Sequence, residues 1–181
     1  MRIVGGVRPV VLATGAGGEY EPFFGDAPLW RGGERLEVSA AGDAVPAFDA
    51  TVRVPATAEV VAPRLPASGA TLAIARAAPL TVRWVGGAGG AIVVELRART
   101  APGSAVADNV AVRCVAAADG GELVLPPWVV GALPAGRGQL VVWSQMETEV
   151  AAGAGAAAIV ARARSLATQD GGLINVGVSL E

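Results

Sequence analysis

The sequence predicts an all-β fold, a two-sheet antiparallel β-sandwich of about ten strands with one short helical connection. Three observations predict it. Apolar and polar residues alternate with a period of two in the clearest segments. Hydrophobic residues make up 52% of the chain but aromatics only 4%, so the apolar content rests on Ala and Val. The branched side chain of Val packs well on a pleated surface. Gly (25) and Pro (12) are spread along the chain, which suits many turns between short strands. A length of 181 residues fits one domain, 1–181, able to bury a core without metal or disulfide help.

Residues 1–45 are the least regular. They read as the first strands, at 8–13 and 35–39, and a long loop through Gly15-Ala16-Gly17-Gly18 and 19–26. Beyond them the alternation is clear. Phe48, Ala50, Val52 and Val54 alternate with Asp49, Thr51 and Arg53. Leu80, Val82 and Trp84 alternate with Thr81 and Arg83. Ile92, Val94 and Leu96 oppose Glu95 and Arg97, and Val110, Val112 and Cys114 oppose Arg113. Each reads as a strand with one face on a core and one toward water, the pattern of antiparallel sheets. Further strands are expected at 71–75, 121–125, 139–146, 157–164 and 173–180. The run 86–90, Gly-Gly-Ala-Gly-Gly, reads as a hairpin loop, and Asp119-Gly120-Gly121 and Asp170-Gly171-Gly172 as further turns. Prolines at 126, 127 and 134 bracket one turn of helix over 126–133. The Ala-rich stretch 151–164 could suggest a helix, but Gly153 and Gly155 argue for a loop and then a strand.

The composition excludes several function classes. A formal net charge of -2 offers no broad attraction for nucleic acid. No run of 18 uninterrupted apolar residues occurs, so no membrane span is expected. Met1-Arg2-Ile3-Val4-Gly5-Gly6 lacks the apolar run of a signal peptide. The chain holds no histidine, which removes Ser–His–Asp and Cys–His catalysis and the commonest zinc ligand. No P-loop pattern is present, and no metal or other cofactor is expected. The lone Cys114 rules out an internal disulfide and reads as a small core hydrophobe.

Six carboxylates, Glu19, Glu21, Asp26, Asp43, Asp49 and Glu95, could in principle supply the pair that glycoside hydrolysis needs, but nothing places two across a groove. Loop 19–26 could offer oxygens to calcium, yet it lacks dense Asp spacing and reads as solvated turn charges. Among the tryptophans, Trp84 reads as a core anchor and Trp128 as a plug at one end of the fold. Tyr20, Trp30 and Trp143 are the candidate ligand-binding residues, because exposed rings stack on sugars or fill a partner's pocket. Burial in the core is the competing reading for all three.

The runs Leu80-Thr81-Val82-Arg83-Trp84 and Ile92-Val93-Val94-Glu95-Leu96, around a Gly-rich turn, resemble immunoglobulin or fibronectin type III-like sandwiches. With Leu29–Glu34, Gly42–Phe48, Val112-Arg113-Cys114 and Leu125-Pro126-Pro127, residues 28–165 are similar to uncharacterised exported or lipid-anchored β-sandwich proteins of the myxobacterial kind. The resemblance implies an extracytoplasmic place, in the periplasm or at the cell surface, and brings no catalytic residues. The expected function is therefore non-enzymatic: a structural or protein-interaction domain that binds a protein partner or self-assembles. The alternative is a carbohydrate-binding module that takes a glycan on exposed aromatics.

Overall fold

A computed structural model describes residues 1–13, 29–42, 46–66, 70–99, 109–150, 159–170 and 172–181. The strands begin with β1 (Arg2–Val4), β2 (Val10–Val11), β3 (Arg35–Ala40), β4 (Phe48–Arg53) and β5 (Ala58–Ala62). They continue with β6 (Leu72–Ile74), β7 (Leu80–Gly86), β8 (Ala91–Arg99), β9 (Asn109–Ala117) and β10 (Glu122–Leu125). The last are β11 (Gly136–Val150), β12 (Ile159–Leu166), β13 (Thr168–Gln169), β14 (Gly172–Leu173) and β15 (Asn175–Leu180). One 3-10 turn, Ala118–Gly120, and one helical turn, α1 (Pro127–Gly131), complete the described elements. The fold is mostly β, as the alternation requires.

The chain divides into two compact units, one made of Met1–Ala56 and Gln145–Ser165, the other of Thr57–Ser144 and Leu166–Glu181. In the first unit, four strands pair antiparallel in the order β2-β1-β3-β4. Leu36, Ala40 and Val52 are buried from one face of this sheet, while Arg35, Glu37, Thr51 and Arg53 stand exposed on the other. Val150 of β11 and Ala163 of β12 are buried in the same unit.

The second unit holds the main core. A five-stranded sheet runs β10-β7-β5-β13-β14, and a six-stranded sheet runs β6-β15-β11-β8-β9, with β12 also on β11. Both sheets contribute to one buried cluster. Val60, Val82, Trp84 and Leu125 come from the first, and Ile92, Val94, Leu96, Leu140, Val142, Val178 and Leu180 from the second. Fully burying each such aliphatic side chain is worth about 1.5–3 kcal/mol. Most pairings are antiparallel, but β13 with β5 and β15 with β6 are parallel. The sheets are therefore mixed where a wholly antiparallel arrangement was expected.

The Gly-rich run 86–90 is not a hairpin. β7 pairs with β10 and β5 in one sheet, while β8 pairs with β9 and β11 in the other. The run carries the chain from sheet to sheet. Four of its residues, Gly86, Gly87, Gly89 and Gly90, have positive φ, and Gly87 is buried against Ala58 and Ile92. A side chain there would be strained by conformation and by lack of room. The second crossing runs from β9 to β10 through Ala118–Gly120, with Gly121 at φ 69°.

Candidate functional site

Trp84 anchors that second crossing. Its indole Nε1 donates to the Ala118 carbonyl at 2.7 Å, inside the core. This fits the expectation of a core anchor. Trp128 does not fit its own. It was expected to plug the fold, yet it is 78% exposed on α1, where Val130 is the buried residue instead, followed by the buried Leu133. In a helix of one turn only one side can face inward, and the placement of Val130 points Trp128 to solvent.

Tyr20 lies outside the described residues, as do Glu19, Glu21, Asp26, Asp43 and the whole of loop 19–26. Trp30 is half-buried in the first unit, beside Gly6. Trp143, on β11 in the second unit, is only 5% exposed. Asp49 is exposed on β4. Among the described residues, no three Asp, Glu or Cys side chains gather as a metal site would need.

Glu95 is the residue with an unexpected setting. Strand alternation puts it on the face of β8 away from the core, where water was expected. It is buried all the same, with Val93 next to it on that face. In the β8–β9 ladder Glu95 stands opposite Arg113. Arg113 donates through Nε and Nη2 to Glu95 Oε2 at 2.9 and 2.7 Å. Arg97, two residues along the same strand, donates to Oε1. The Arg113 guanidinium also lies 5.4 Å from the centre of the Trp143 ring, within cation–π range. One carboxylate, two half-exposed guanidiniums and an indole thus close over the outer face of the sheet.

Burial pushes the Glu95 carboxyl up, but the hydrogen bonds from Arg113 and Arg97 and their charges outweigh it, and its pKa falls below the ordinary 4.5. A carboxylate held ionised by two arginines is a poor general acid, since its proton is lost well before neutrality. The arrangement locks β8 to β9. Sequence reasoning counted Glu95 as one of six loose carboxylates. The available signal was Glu95-x-Arg97 on a strand, which puts both side chains on one face.

The last feature is the free side of β9. It ends the six-stranded sheet, and its nine residues pair with β8 without a bulge. The Ala118 N–H donates to the Gly90 carbonyl, so by alternation the even-numbered residues of β9 bond toward β8. The backbone groups of Ala111, Arg113, Val115 and Ala117 then point to the free side. Among the described residues no strand meets them there. Val115 is 59% exposed.

Comparison with protein-family models, curated proteins and solved structures returned no match for this chain.

Proposed function

We propose that the chain is a non-enzymatic interaction domain, built as a two-sheet β-sandwich of the immunoglobulin or fibronectin type III-like kind, that associates with a second copy of itself by strand addition at β9. The observation that carries this reading is the edge of β9, which pairs with no other strand among the described residues. Natural edge strands are blunted by short length, Lys, Pro, bulges or inward charges. The other outer strands of the described sheets follow that rule: β2 and β14 have two residues each, β6 three and β10 four, while β4 carries Asp49 and Arg53 and β12, which branches off β11, carries Arg162 and Arg164. β9 has nine residues, no Pro, no bulge and one charge, Arg113, which is folded back on Glu95.

The free backbone groups sit on odd-numbered residues, so a two-fold antiparallel pair must match odd with odd. A register that sets Val115 against Arg113 of the second copy satisfies this and keeps the two Arg113 guanidiniums from facing each other, which would be repulsive. An extracytoplasmic location is part of the same proposal and rests on the sequence resemblance alone.

Sedimentation over a wide concentration range tests the edge. The expected result is a concentration-dependent dimer for the parent chain and a monomer for Val115→Lys, whose circular dichroism stays unchanged and whose melting matches the parent's at concentrations where the parent is monomeric. A strict monomer throughout, or a dimer indifferent to Val115→Lys, overturns the reading.

The exposed ring of Trp128 supports the alternative, a carbohydrate-binding surface, since a solvent-facing indole offers a face to a sugar ring. A glycan array probed with the parent chain and Trp128→Ala decides it; signal lost in the variant is required.

A further inference from the structure

From the first unit we infer a site for a divalent tetrahedral oxyanion, a phosphate or sulfate group, between Arg35 and Arg53. The two arginines are direct partners across the β3–β4 ladder. The neighbouring pair is bonded, since Val54 N–H donates to the Glu34 carbonyl at 2.8 Å. Arg35 and Arg53 therefore occupy the closer, non-bonded position, where facing side chains come nearest. Like charges directly opposite on a sheet destabilise it. Arg35 donates to the Thr51 hydroxyl at 3.2 Å and Arg53 to the Gly33 carbonyl at 3.4 Å. Neither meets a carboxylate among the described residues.

Both line a recess of about 420 Å³ with Thr51, Met146, Glu147 and Thr148, all within the same unit. Its one acid is already engaged. Glu147 Oε1 accepts from Arg162 Nε and from Gln145 Nε2, each at 2.7 Å. Glu37 and Asp49 on the same sheet line an adjoining recess with Arg2, which shares Thr51 with the first, and neither acid makes an ion pair with Arg35 or Arg53. The larger recess thus holds two guanidiniums that make no ion pair among the described residues, and two threonine hydroxyls as donors. A divalent oxyanion matches both its charge and its donor geometry, since guanidinium forks bind such oxygens in pairs. A monovalent ion would leave one arginine unmatched.

The test uses the full chain with sodium sulfate and sodium phosphate as probes, against sodium chloride at equal ionic strength. Isothermal titration and amide NMR shifts give affinity and place. Sulfate and phosphate are expected to bind with shifts centred on β3 and β4, and to raise the melting temperature where chloride does not. Arg35→Gln and Arg53→Gln are expected to weaken binding by at least about tenfold each, the loss of one charge-assisted contact set. Both side chains are exposed and either substitution removes the like-charge pair, so both variants should melt no lower than the parent in chloride. Absence of binding at tens of millimolar anion, or binding unaffected by both substitutions, overturns the site. Neither outcome bears on β9.

Discussion

Arg113 places two nitrogens on a single oxygen of Glu95, and the carboxylate beneath them is buried while the arginine is half-exposed. The two partners therefore respond differently to loss of the other. Removing Arg113 strands part of a buried charge, and Arg113→Ala is expected to destabilise by about 1.5–3 kcal/mol, the range for hydrogen bonds to charged groups. Removing Glu95 frees arginines that water can solvate, so Glu95→Gln should cost less. Urea unfolding of the two variants at neutral pH gives the order.

The same pair predicts a pH dependence. The folded pKa of Glu95 lies below its ordinary 4.5, so between those values the unfolded chain holds more protons than the folded one. Its contribution is present above 4.5 and is lost as pH falls through the folded value. The stability gap between the parent and Glu95→Gln should be widest near neutrality and narrow in acid. In Arg113→Ala the carboxyl is expected to titrate higher, so the loss should begin at a higher pH. A gap that is constant from pH 7 to about pH 3 would contradict the lowered pKa.

Trp84→Phe isolates the indole hydrogen bond from the ring. The ring stays in the core, but the buried Ala118 carbonyl loses the donor it has at 2.7 Å. Leaving a buried acceptor unsatisfied costs about 1–3 kcal/mol. Thermal melting should show this loss, and hydrogen exchange should rise at 118–121, where the Trp84 amide also bonds to the Gly121 carbonyl.

The faces of individual strands were legible in the sequence, because a period of two survives wherever one face meets the core. Val52, Val82, Trp84, Ile92 and Leu96 all lie inward as their alternation requires. Partnership between strands was not legible. A glycine run permits a tight reversal and a crossing equally well, so 86–90 could not reveal that β7 and β8 belong to different sheets. Short polar strands escaped for another reason. β13 has one register pair with β5 and is held by Gln169, whose side chain accepts from Leu65 N–H and donates to the Val60 and Pro63 carbonyls. No hydrophobic pattern marks such a strand. The setting of Glu95 was hidden too, since its partner Arg113 lies 18 positions away, and Arg113 in turn meets Trp143, 30 positions further on.

Cys114 lies on the inward side of β9, packed against the core, and burial pushes its thiol above the ordinary 9.0. The thiolate is the reactive form. Alkylation by iodoacetamide at pH 8 is expected to run well below the rate for free cysteine and to reach that rate in denaturant. A native rate above that of free cysteine would assign Cys114 to chemistry and not to packing.

Gly87→Ala separates a sheet crossing from a hairpin tip. At a solvent-facing tip the substitution would cost only the left-handed conformation, about 1–2 kcal/mol. In the crossing a Cβ also meets Ala58 Cβ and Ile92 Cδ1 at 3.1 Å each, and Ile92 is fully buried. The two costs should add, giving a loss clearly beyond the conformational value. Gly120→Ala is the control, because its Cβ would meet nothing within 4 Å and its φ is not positive. Urea midpoints of the three proteins decide the matter: a Gly87→Ala loss no larger than about 1 kcal/mol would return the run to the surface and undo the assignment of β7 and β8 to separate sheets.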